Sequence, residues 1–159
     1  MKLAFSNSDD YSQMNLCFME KLQTLPNAEI LFDQEAEVMY LMLSGTIELE
    51  EYKHIFEVFL QEGIKLGSKR FVIQQGDMVK SSMAARAWLV AKWLPKVQKS
   101  IPECRAAVVL AKSLFTRIGG EYLVGAARKL TNFNVRTFGS LEDAQQWVVM
   151  DNEDVPADN

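Results

Sequence analysis

Glycine, aspartate, lysine and two serines crowd the stretch Gly76-Asp77-Met78-Val79-Lys80-Ser81-Ser82, between the apolar run Phe71-Val72-Ile73 and a helical pattern that begins at Met83. A strand that passes through glycine, lysine and serine into a helix has the outline of a phosphate-binding loop. Such a loop needs a glycine directly before the Lys-Ser pair and another five residues earlier, so that backbone N–H groups can wrap the phosphates. With Lys80-Ser81 as the anchor, those positions hold Val79 and Gln74, which excludes a nucleotide grip of this kind. Two roles remain. Ser81 or Ser82 fits an N-cap, its hydroxyl accepting a hydrogen bond from the first helical turn. The same helix start beside Lys80 also suits an anion, or a phosphate added to either serine. Asp77, Lys80, Ser81 and Ser82 are therefore the residues expected to meet a partner or an anion.

Other chemistry has little support. The single histidine, His54, falls mid-helix beside an apolar stripe and reads as a half-buried packing residue. Ser-His-Asp and Cys-His machinery would both need that one residue to reach out from its helix. Asp77 has no second carboxylate at a defined spacing, so a hydrolase or transferase built on Asp77 or His54 is the weakest reading. Cys17, Cys104 and His54 are scattered and form no metal-ligand cluster, so no metal, cofactor or catalytic residue is assigned. Gly119-Gly120, before Glu121-Tyr122, reads as a helix break or a close approach to the sheet rather than a backbone anion nest.

The elements that must position these residues fit one domain. The chain has 159 residues, 48% hydrophobic and 24% charged, ordinary values for a globular protein. No apolar run approaches the roughly 18–20 residues of a membrane span. The start, MKLAFSNSDD, turns polar after five residues and lacks the apolar core of a secretory signal, so a cytoplasmic location with reduced cysteines is expected. Charge is uneven: residues 1–63 carry 3 Lys/Arg against 12 Asp/Glu, residues 64–118 carry 11 against 2, and residues 119–159 carry 3 against 7. These blocks either cover solvated helix faces, cancel across the fold, or form a basic surface facing an anion.

Residues 1–27 read as a lead-in, with a short helix or irregular segment over 6–25 closed by Pro26-Asn27. The single domain spans 28–149, and 150–159 form an acidic, disordered tail. Ala28–Phe32 and Glu37–Leu43 are β-rich runs joined by the acidic turn Asp33-Gln34-Glu35, a hairpin. Leu49, Tyr52, Ile55/Phe56 and Phe59/Leu60 recur at three and four, one face of a helix that Gly63 should stop. A strand over Arg70–Gln74 follows. Met83, Ala87, Val90, Leu94 and Val97 make a second helical stripe beside Trp88 and Trp93, which Pro95 should end or kink. Ala106–Leu110 is an apolar strand, Leu114–Leu130 a helix interrupted at Gly119-Gly120, and Asn134–Phe138 a last strand. Ser140 then caps a helix over Leu141–Val149 whose Ala144, Trp147 and Val148 face inward. The order β-β-α-β-α-β-α-β-α predicts an α/β fold: a mixed, mostly parallel five-stranded sheet covered by about four helices.

The stretch NAEILFDQEAEVMYLMLSGTIELEEYK, the tryptophan-rich helix ending in KWLP, the strand AAVVLA and the closing VRTFGSLEDAQQWV resemble small bacterial proteins of the STAS-like type. These are similar to the anti-sigma-factor antagonists and, more remotely, to CRAL-TRIO lipid-transfer domains. The resemblance covers roughly residues 28–149 and rests on element order. In the antagonists a phosphorylatable serine opens the helix after a central strand, in an Asp-Ser-Ser-Gly context. Here Ser81-Ser82 stand at that place, with Lys80 before them and Met83 where glycine would be. The resemblance implies a non-catalytic regulatory module that meets a protein partner at the start of the second helix. The lipid-transfer likeness implies the alternative, a carrier or sensor of an apolar or anionic ligand. Trp88 and Trp93 would then lie near a cavity, and Lys92, Lys96 and Lys99 would form a basic face for a head group. Nucleic acid is not an expected partner. A homodimer through a sheet edge or the tryptophan helix is compatible with the pattern.

Overall fold

In the computed structural model, residues 19–150 are described; the expectations for residues 6–18, Cys17 and the tail 151–159 lie outside them. Three consecutive strands, β1 (Met19–Leu25), β2 (Ala28–Asp33) and β3 (Val38–Ile47), form an antiparallel meander. The helix or irregular segment expected over 6–25 is thus a strand from Met19 onward. The helical spacing has a physical origin. A bulge between Lys21 and Gln23 breaks the two-residue alternation, so Leu22 and Leu25, three apart, both pack on the same core. Between β2 and β3, Asp33 Oδ1 accepts from the N–H groups of Glu35 and Ala36, both at 3.0 Å, which fixes the expected acidic turn.

From β3 onward the strands are parallel: β4 (Arg70–Ser81), β5 (Arg105–Val109) and β6 (Asn134–Phe138) follow in order, giving six strands rather than five. Each crossover advances one strand in the same direction. Right-handed crossovers of that kind must all lie on one face of the sheet. They do: α1 (Leu49–Leu66), the continuous helical run α2 (Met83–Trp88), a π-helical turn (Leu89–Trp93) and α3 (Leu94–Ser100), and α4 (Leu114–Leu130) share one core. After β6 no further strand follows among the described residues, and α5 (Leu141–Val148) folds onto the opposite face against Val72, Ala107 and Val109. Both faces of the central strands are covered, so β3 reads as the continuous run Val-Met-Tyr-Leu-Met-Leu, all buried.

Several local expectations move. Gly63 does not stop α1; Gly67 does, in the left-handed conformation at φ 64°, with its N–H turned back to the Gly63 and Ile64 carbonyls. The π-helical turn precedes Pro95, which stands in the first turn of α3, so the helical run is re-phased rather than ended. Its buried positions become Ala85, Leu89, Trp93, Leu94 and Val97, while Met83 is 79% exposed. α4 runs uninterrupted through Gly119-Gly120, and both glycines serve close packing. A Cβ at Gly119 would fall 2.8 Å from Arg86 Nη1, and one at Gly120 would fall 2.6 Å from Gln75 Oε1.

Candidate functional site

Strand β4 outlasts its neighbour. β5 pairs with Arg70–Gln74 only, whereas β4 continues to Ser81 beside β3, with register shifts around Gly76 and Val79. The other edge of this extension would be left open, and side chains close it. Thr116 Oγ1 donates to the Val79 carbonyl at 2.6 Å, and Arg86 Nη1 donates to the Ser81 carbonyl at 3.2 Å. Occupying the acceptors of a bare strand edge blocks its pairing with another chain. Ser82 is the N-cap of α2, its Oγ accepting from the Ala85 N–H at 3.0 Å, as the sequence led us to expect.

Between this edge, α2 and the first turns of α4 lies an open groove of about 1040 Å³. Its walls include Val79, Lys80, Ser81, Ser82, Met83, Arg86, Ile118 and Tyr122. Four of these are large apolar side chains held in solvent: Val79 at 62%, Met83 at 79%, Ile118 at 54% and Tyr122 at 61% exposure. Lys80 and Arg86 are its cations, and among the described residues no carboxylate lines it.

Lys80, Ser81 and Ser82 are thus brought together, but they are not equally accessible. Lys80 is exposed and Ser82 half-buried, whereas Ser81 is 8% exposed with Oγ 3.4 Å from Arg86 Nη1. Asp77 is half-buried opposite Ser44 and does not line the groove. The other residue set divides. Trp93 is buried, donates through Nε1 to the Phe56 carbonyl at 2.9 Å, and lines an internal cavity; Trp88 stands edge-on to Tyr52 and does not line it. Lys92, Lys96 and Lys99 are all exposed, and Lys96 pairs with Glu57 of α1, so acidic and basic blocks of the sequence cancel at that point. His54 is exposed on α1, not half-buried as its neighbours in the sequence suggest. Among the described residues no three His, Cys, Asp or Glu side chains stand close enough to hold a metal ion. No helix among them is long and apolar enough to cross a membrane.

The internal cavity measures about 90 Å³ and lies between α1, the π-helical turn, α4 and the sheet. Among the described residues its lining is apolar apart from Gln75, Tyr52, Cys104 and Trp93, whose indole N–H goes to the Phe56 carbonyl. Burial pushes the Cys104 thiol up to about 12, and burial raises the Tyr52 hydroxyl well above its ordinary range, with nearby Arg86 pulling it part of the way back. Cys104 is therefore a thiol and a poor nucleophile.

A crystal structure of an uncharacterized protein of the DUF3478 family from Shewanella loihica PV-4, with a SpoIIAA-like fold, superposes at a TM-score of 0.51. The match covers 82% of this chain and 91% of the other, at 15% identity. The fold is SpoIIAA-like. No protein-family model matches the chain, and no curated protein does. At that identity the likeness establishes the architecture alone. Within the SpoIIAA-like frame, sequence reasoning located the start of α2 but missed Val79, Arg86, Thr116, Ile118 and Tyr122 as groove residues. Ile118 and Tyr122, four apart, were legible as one helix face; their exposure was not. Gln75 gave no signal, because one glutamine in a polar pair carries no periodicity.

Proposed function

We propose that this SpoIIAA-like domain is a non-catalytic interaction module that docks a protein segment in the groove between the end of β4, α2 and α4. One observation carries the reading. Val79, Met83, Ile118 and Tyr122 are exposed together in a concave place where, among the described residues, the charges are the cations Lys80 and Arg86. Clustered apolar side chains in solvent mark recognition surfaces. The partner is a segment presenting apolar side chains flanked by Asp or Glu, which complements both features. Ser82 sits at the lip, where an added negative charge would oppose the same partner. Ser81 is the poorer switch, since its hydroxyl is buried against Arg86.

The lipid-carrier reading is set aside. A cavity of about 90 Å³ is well below the roughly 300 Å³ at which pockets for lipid- or drug-sized ligands begin, and Trp88 does not line it. The test is a quantitative pull-down with the full chain and with a Met83→Asp/Tyr122→Asp variant, with thermal unfolding as the control for folding. Specific partners captured at low salt should be lost by the variant and weakened by added salt. An identical captured set from the two proteins would end the proposal.

A further inference from the structure

The internal cavity carries a second, independent reading. We infer that it binds a small apolar molecule bearing a single N–H or O–H donor, with Gln75 as the polar anchor. Gln75 is 5% exposed, it lines the cavity, and its Oε1 has no hydrogen-bond partner. The oxygen packs against α4 at Gly120, where a Cβ would fall 2.6 Å from Oε1 and displace the end of the glutamine side chain. A buried amide oxygen without a partner is unfavourable unless something supplies the missing donor. Ordered water is the rival occupant, since a buried water needs two to four polar partners and Gln75, Tyr52 and Cys104 all line the cavity. A ligand that binds here displaces it; the Trp93 indole N–H, also on the lining, is already given to the Phe56 carbonyl. An apolar body with one donor matches one acceptor set in apolar walls.

Size narrows the class. A volume of about 90 Å³ corresponds to roughly three waters, or a molecule of about five heavy atoms. Long-chain lipids are too large. The wall most able to admit a ligand is the π-helical turn, which contributes Leu89 and Trp93. Its hydrogen bonding already departs from the α-helical ladder, and Pro95 just beyond removes another donor. The Trp93 indole, bonded to the Phe56 carbonyl at 2.9 Å, latches that turn to α1.

Pyrrole and furan test this directly, being near-identical in shape while only pyrrole offers a donor. They would be titrated into the full-length chain and followed by ¹H–¹⁵N NMR at the Gln75 side-chain amide and the backbone of Leu89, Trp93 and Ala127. Pyrrole should saturate these shifts with an affinity about fivefold above that of furan, the effect of one net hydrogen bond. Gln75→Leu should abolish the preference. Ala127→Leu, which fills the cavity from α4, should abolish both ligands while the native spectrum persists. Equal affinity for the two rings, a preference for furan, or no saturable shift with either would overturn the inference. Because the cavity and the groove have no lining residue in common, loss of groove docking leaves this result untouched.

Discussion

The two faces of the sheet are covered to different standards. On one face a single eight-residue helix, α5, sets Leu141, Ala144 and Val148 at 1% exposure or less and Trp147 at 4%. Arg105 fastens its end, donating to the Trp147 and Met150 carbonyls and lying 5.2 Å from the Trp147 ring centroid. One polar atom there, Trp147 Nε1, is unpaired. On the other face three crossover helices meet over the same strands, leaving an internal gap, an orphaned Gln75 oxygen and an uncovered apolar groove. A lone helix is free to settle wherever its apolar side fits. Three crossovers are each tied to two strand ends, so their mutual fit is a compromise, and recognition is expected where that compromise leaves space.

If the α5 face holds the fold together, its deletion should have the largest effect. Trp147→Ala removes a ring packed 5.5 Å from Phe138 and exposes the Arg105 clamp. It is expected to cost about 3–5 kcal/mol in urea unfolding; a loss under about 1 kcal/mol would break the contrast between the faces. Cys104 reports on the other face. With its pKa pushed from 9.0 to about 12, it should hold roughly a thousandfold less thiolate near neutrality than an unfolded thiol. Iodoacetamide should therefore modify Cys104 about a thousand times more slowly in the native chain at pH 8, read by peptide mapping. Comparable rates would show the gap open to solvent. The native state holds this proton more tightly, so the contribution to stability is full below pH 9 and declines as pH rises through about 12.

Much of the fold was legible in the sequence, and the unread parts have physical causes. α5 was read nearly residue for residue, because Ser140 accepts from the Asp143 N–H at 3.2 Å and a cap is a local signal. The hairpin and the parallel order were equally plain, since alternation and strand–helix succession need no knowledge of tertiary contacts. β1 was lost because one bulge at Leu22 converts a two-residue period into a three-residue one. Met83 was placed in the core stripe because a π-helical turn inserts a residue that an ideal helical wheel cannot anticipate. The groove shares that cause and adds another: its two halves, 79–87 and 113–122, meet only when α4 packs against the end of β4. At the candidate site, the Lys80-Ser81-Ser82 corner was visible as a corner, while its burial pattern depended on Arg86 folding back over Ser81.

The same substitution placed on both faces sharpens the comparison at a smaller scale. Ala144 on the inner side of α5 is 0% exposed, and Ala127 of α4 borders the gap. Ala144→Leu should overpack and destabilise by about 1–3 kcal/mol. Ala127→Leu has space to enter and should be neutral or stabilising by up to about 1 kcal/mol. Thermal and urea unfolding of the two variants side by side would read the difference. Equal penalties would mean that the gap closes in solution and that the faces are alike.

The smallest effects belong to the groove's lip, where stability and recognition separate. Ser82→Ala removes the acceptor for the Ala85 N–H and should cost about 1 kcal/mol, and Ser82→Gly a few tenths. Ser82→Asp keeps a capping oxygen, so its unfolding midpoint should stay near that of the parent, yet it places a negative charge beside Lys80 and Arg86. An acidic partner should then bind less tightly to Ser82→Asp than to Ser82→Ala, although the alanine variant is the less stable of the two. If binding instead follows stability across the three variants, the corner is only the start of a helix, and the groove beside it has no role in recognition.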